Sequence, residues 1–187
     1  MKKSKIILLI ALCLAVCSQA QAQRCLPGQK GILFTAGAVN SLKSDFHGGI
    51  AYSVYTKNAN YWVFGSEYLE KRFSYKNLSL PQTQFTVEAG YYLNFLSNGS
   101  KTLFFSLGLS AMAGYETVNW DKKRLFDGAT IQNKDGFLYG GALALETEIY
   151  LTDWLVLLVN VRERLLGGSS VGLFNTQPGV GLKFIIN

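Results

Sequence analysis

The chain has 187 residues, 49% of them hydrophobic and only 16% charged, with a formal net charge of +6. That length suits one domain, and no Ser/Gly-rich or Pro-rich stretch marks a second. The basic balance carries little weight, because Lys2, Lys3 and Lys5 stand in an N-terminal leader; without residues 1–22 the charge falls to +3, and no direct nucleic-acid binding is expected.

Read from the start, three lysines are followed by an unbroken apolar run over 6–17, the pattern of a cleaved signal peptide. The run is too short for a membrane helix, which needs about 20 residues, and Ala20-Gln21-Ala22 supplies small residues at the usual cleavage spacing. Residues 1–22 are therefore expected to be a signal peptide and 23–187 a single exported domain beginning at Gln23. A lipobox at Leu14-Ala15-Val16-Cys17 is the competing reading, but Val16 is bulky where that peptidase takes a small residue. Export removes Cys13 and Cys17 and leaves Cys25 without an internal partner. An unpaired thiol is favoured over an intermolecular bridge.

Past the leader no stretch approaches 18 apolar residues, and the longest, 155–161, is interrupted by Asn160. A mature chain that spans a membrane must then do so as a closed barrel, which satisfies its backbone polar groups internally. Period-two alternation supports this. Leu103, Phe105, Leu107, Leu109, Ala111, Ala113 and Tyr115 alternate with Phe104, Ser106, Gly108, Ser110, Met112, Gly114 and Glu116; similar division recurs from Phe85 and from Phe137. Turn signals then predict eight strands, over 31–39, 46–56, 61–71, 83–95, 102–116, 136–150, 155–165 and 177–186. Short connectors (57–60, 96–100, 151–153) alternate with longer ones, as in outer-membrane barrels with short periplasmic turns, and both termini fall on the short-turn side.

The fold expected is thus all-β, an eight-stranded antiparallel up-and-down outer-membrane barrel. A soluble barrel or sandwich shares the alternation but needs a charged exterior. Here the face opposite the apolar one is rich in Gly, Ala, Ser and Thr, which suits a crowded lumen. Trp62, Tyr91, Phe95, Tyr115, Phe137 and Tyr139 at strand ends would form interfacial girdles in contact with outer-membrane lipid.

Chemistry has few candidates. His47 is the only histidine, in Phe46-His47-Gly48-Gly49, and no serine follows at i+2 as in barrel lipid A deacylases; it is expected to be exposed near a strand start. No metal cluster, phosphate loop or cofactor motif is present, so no catalytic, cofactor-binding or metal residue is assigned. Glu67, Glu88, Glu146, Glu148, Arg162, Arg164 and Lys183 fall on the polar face and are expected to pair across the lumen, because an isolated charge out of water costs several kcal/mol. That favours a plugged interior over a conducting pore. The long connector 117–135 holds Trp120, Lys122, Lys123, Arg124 and Phe126, which could dock a partner or simply be solvated.

Four segments carry a resemblance: Gln23-Arg24-Cys25-Leu26-Pro27-Gly28-Gln29-Lys30-Gly31, Ala113-Gly114-Tyr115-Glu116-Thr117-Val118-Asn119, Asp135-Gly136-Phe137-Leu138-Tyr139-Gly140 and Pro178-Gly179-Val180-Gly181-Leu182-Lys183-Phe184. In these the chain resembles the TraO proteins of Bacteroides-type conjugative transposons, over nearly all of 23–187. The resemblance implies an accessory part of a conjugation apparatus, partnered by other conjugal transfer proteins. It brings no catalytic motif. Two further readings stand beside it, a small general pore or adhesin-like barrel unrelated to conjugation, and a lipid-modifying enzyme dependent on His47.

Overall fold

The computed structural model describes residues 24–39, 41–75, 78–118, 136–169 and 174–186, and their side chains apart from 41–44 and 73–80. The leader 1–22 and the candidate docking residues Trp120, Lys122, Lys123, Arg124 and Phe126 lie outside the described residues.

Eight strands follow one another: β1 (Lys30–Val39), β2 (Ser41–Tyr55), β3 (Tyr61–Tyr75), β4 (Leu78–Ser97), β5 (Leu103–Val118), β6 (Gly136–Tyr150), β7 (Leu155–Gly167) and β8 (Phe174–Ile186). Each pairs antiparallel with the next, and β8 closes on β1 from Lys30↔Ile186 to Gly37↔Gly179. The expected closed eight-stranded meander is therefore what the chain forms. No sheet edge runs the length of the molecule, so the strands can be strongly apolar on one face without inviting edge-to-edge association.

Register sets the shape. From Phe184 the direct partners run through Ile32, Tyr52, Phe64, Ala89, Ala111, Gly141 and Leu165 and return to β8 at Phe174, a shear of about ten residues. Eight strands with that offset tilt by roughly 40° to the barrel axis. All nine residues on this path point outward, the consequence of a side-chain period of two.

The faces sort by chemistry. Phe34, Ile50, Phe64, Val87, Leu109, Leu143, Leu145, Val161 and Val180 are exposed on the outside, while Glu67, Glu148, Arg164 and Lys183 are buried within. A soluble domain shows the reverse. At the outer edge Tyr68, Phe85, Tyr115 and Phe137 are direct register partners across β3 to β6, with the Tyr68 and Phe85 rings 5.1 Å apart. At the opposite edge Trp62 packs on Tyr91 at 4.7 Å, and Trp154 stacks on Phe184 at 6.1 Å. Between Phe85 and Phe95 on β4, a rise of about 3.3 Å per residue and a tilt near 40° cover roughly 25 Å of height.

Three strand limits depart most from expectation. β2 begins at Ser41, β3 runs on to Tyr75 and β4 begins at Leu78, so much of what the turn signals mark as outer loop (40–45 and 72–82) is strand. The β3–β4 hairpin continues through Arg72↔Pro81 to Tyr75↔Leu78, past the last β2 partner at Phe46↔Glu70. Over this stretch the hairpin is a two-stranded ribbon beyond the pairing with β2 and β5, and its sequence loses the alternation that reveals the strands below. At the other end the β2–β3 connection is a tight turn in which Asn58 adopts φ 62°. Asparagine tolerates that left-handed conformation better than most residues.

Candidate functional site: the barrel interior

Inward-facing side chains form three tiers. In the middle one, Glu67 of β3 accepts hydrogen bonds from Arg164 Nη1 (2.7 Å) and Gln177 Nε2 (3.0 Å) and is also paired with Arg162. Arg162 Nη1 donates to Glu88 at 2.7 Å and its Nε to Gln177 Oε1 at 3.2 Å, while Arg164 Nη2 donates to Thr86 at 3.2 Å. Two guanidiniums and two carboxylates thus neutralise one another with their forks largely satisfied. A buried network of this kind holds together only when nearly every member has partners.

The inner tier, nearer the chain ends, uses one cation. Lys183 pairs with Glu148, donates to the Tyr55 hydroxyl at 3.2 Å and lies 4.1 Å from the centre of the Tyr61 ring. Tyr55 donates to Glu148 at 2.7 Å and Tyr61 to Glu146 at 2.6 Å. Around them Tyr61 stacks on Tyr92 at 4.9 Å, and Phe104 meets Tyr150 edge-on at 5.6 Å. In the outer tier Gln84 and Ser169 each donate to Glu116 at 2.8 Å, and Lys71 bonds Asn175.

Below the inner tier, residues 24–29 cross the mouth of the barrel. They are held by Gly28 N–H to Tyr55 C=O and Tyr55 N–H to Gln29 C=O, both 2.8 Å. Cys25 points upward, buried, with its sulfur 3.2 Å from the Tyr150 hydroxyl. Burial, helped by the nearby Glu148 charge, pushes this thiol up to about 12, so it stays protonated at neutral pH. Arg24 lies over the Tyr150 ring at 5.0 Å and donates to the Lys101 carbonyl at 3.2 Å, with Asp153 at 3.4 Å. Between the middle and inner tiers a cavity of about 30 Å³ is lined by His47, Glu67, Glu88, Glu146, Asn160 and Arg162, room for no more than a water or two.

All seven polar-face charges singled out in the sequence lie inside, six buried and Glu88 with a side chain 12% exposed. Two groups separate: Glu67, Glu88, Arg162 and Arg164 in one tier, Glu146, Glu148 and Lys183 in the other. The sequence reading put Gln84 and Glu116 on the polar face but left them, with Gln177, out of the interior network, and it missed the tyrosines, which count as apolar in an alternation pattern.

His47 contradicts expectation. It is buried, not exposed, because β2 starts well before it and puts Phe46 outside and His47 inside. Its Nδ1 is 3.5 Å from Glu67, and neither ring nitrogen makes a hydrogen bond among the described residues. Gly37 makes room for it: a Cβ there would fall 2.5 Å from His47 Nε2 and 2.7 Å from Gly179 Cα. The ring is packed between this glycine seam and a carboxylate already engaged by two arginines.

Among solved structures, Neisserial surface protein A is similar with a TM-score of 0.60 at 14% identity, covering 84% of this chain and 96% of that one. The attachment invasion locus protein Ail of Yersinia pestis is similar with a TM-score of 0.53, also at 14% identity, over 85% of this chain and 100% of its own. At such identity the likeness is one of fold. No curated protein matches the chain. The family described as conjugative transposon protein TraO matches residues 26–186, from the strap under the barrel to the end of β8, and the chain belongs to that family.

Proposed function

We propose that this protein is an outer-membrane barrel, exported through a cleaved signal peptide, that serves conjugative DNA transfer as a structural and interaction component. The observation that carries the reading is the polarity of the barrel, apolar outside and charged inside, in a chain whose family is described as conjugative transposon protein TraO. Two aromatic edges about 25 Å apart match the height of the apolar band in outer-membrane barrels. Outer-membrane lipid and other transfer proteins are its partners. The tiered interior argues for a plug: Arg164, Glu148 and Lys183 are fully buried, and an open aqueous lumen would leave such groups hydrated. A plugged interior gives DNA no route through the barrel, and on this reading the role is structural rather than enzymatic.

Deleting the gene in a donor strain should abolish or strongly reduce transfer while growth and permeability stay normal, and the protein should fractionate with outer membranes. Normal transfer by the deletion strain would overturn the role. Large, stable single-channel openings by purified protein in planar bilayers would overturn the plug.

A further inference from the structure

We infer that the outer half of the β7–β8–β1 face is a docking surface for a different membrane-embedded chain, one that presents a lysine or arginine at the depth of Glu163. The inference rests on the exterior being lipid-facing, as proposed above, and not on the conjugative role.

Glu163 is out of place. Its neighbours Arg162 and Arg164 point inward, which turns Glu163 outward between the exposed Val161 and Leu165. It accepts a hydrogen bond from Thr176 Oγ1 at 2.5 Å, its register partner on β8, and has no cation within ion-pair distance among the described residues. The pair lies one outward step inside Leu165 and Phe174, about 5 Å deeper than the outer aromatic edge. Among the described residues the other acidic and basic groups on the outward face of the strands are Lys30, the first residue of β1, and Glu70 and Arg72, which lie one and two outward steps beyond the Tyr68–Phe85 pair and bond each other at 2.9 Å. A carboxylate in the apolar band is disfavoured unless something compensates it, and ionisable residues there usually mark a partner or a pathway.

The surroundings suit close approach. Ala36 and Ala38 of β1, Gly48 of β2 and Pro178 of β8 make the surface beside Glu163 low, in contrast to the aromatic rail across β3 to β6. Small residues flanking a polar side chain are how membrane-embedded segments pack without a hydrophobic drive. Charge complementarity names the occupant. Among the described residues, a second copy inserted in the same direction offers on the outside of its strands only Lys30, at the inner end of β1, and Arg72, beyond the outer aromatic edge, both at the wrong depth. Lipid amines stay at the headgroup level, beyond Phe174. A different chain with a cation below that level is what remains.

The test is photo-crosslinking in intact cells carrying the whole transfer system, with the reactive residue at position 161 and, as a control on the opposite face, at position 109. Folding is followed by the slower mobility of the unheated barrel on gels. Position 161 should yield an adduct with another protein, absent from position 109, and E163Q should reduce it about tenfold with folding unchanged. E163K should remove the adduct, and exchanging the partner's cation for glutamate should restore it. Adducts that persist in E163Q, an adduct of twice the chain's own mass, or lipid adducts alone would each overturn the inference. Extraction of the protein from cells without detergent would instead overturn the membrane reading beneath it.

Discussion

The middle and inner tiers solve the same problem differently. Glu67 is held by two arginines and Gln177, so its charge is compensated several times over; Glu148 depends on one cation, Lys183, with Tyr55 supplying the remaining hydrogen bond. Redundancy lets the first tier lose a member and rearrange. The second has no spare, and its rigidity comes from the tyrosines stacked around it.

That contrast breaks most visibly at Lys183. Lys183→Met should cost about 3–5 kcal/mol, because Glu148 is left charged and buried. Adding Glu148→Gln, which keeps an acceptor for Tyr55, should recover most of the loss. Unfolding by urea in detergent micelles checks both; equal damage from the single and double variants would show that packing, not charge, decides. Arg164→Met should cost less, about 1–3 kcal/mol, since Arg162 and Gln177 still hold Glu67. If it destabilises as much as Lys183→Met, the redundancy argued for the middle tier is absent.

The strap beneath the inner tier adds a pH signature. The folded state raises the Cys25 thiol from 9.0 to about 12 and so favours its protonated form. That contribution is fully present below about pH 9 and is lost as pH rises toward about 12. Stability of the wild type should therefore fall more steeply over this window than that of Cys25→Ala, and maleimide labelling at neutral pH should require unfolding. Smallest of all is the rim: Asp153→Asn removes an ion pair whose acid is 57% exposed, and the change should stay below about 0.5 kcal/mol in thermal melts.

Much of this was legible from residue order. The alternation from Leu103 to Glu116 predicted which side chains of β5 face out, and the seven interior charges followed from the same rule. His47 was misjudged because it stood second in the predicted strand over 46–56, where an end residue is open to solvent, whereas β2 starts at Ser41 and the phase set by Phe46, Ile50 and Tyr52 turns it inward. The β3–β4 ribbon was missed because its sequence lacks the alternation that marks the strands below. Glu163 obeys parity, yet a count of charges near Arg162 and Arg164 hides that it faces the other way.

What the sequence determined alone is the in-or-out assignment along each strand, because successive side chains must point to opposite faces of a pleated chain. Which charges meet was decided only by the tertiary structure. Glu67 reaches Arg162 and Arg164 across sequence separations of 95 and 97 residues because closure with a shear of about ten brings β3 and β7 to one height. That offset is a property of the whole ring of strands, and no single strand contains it.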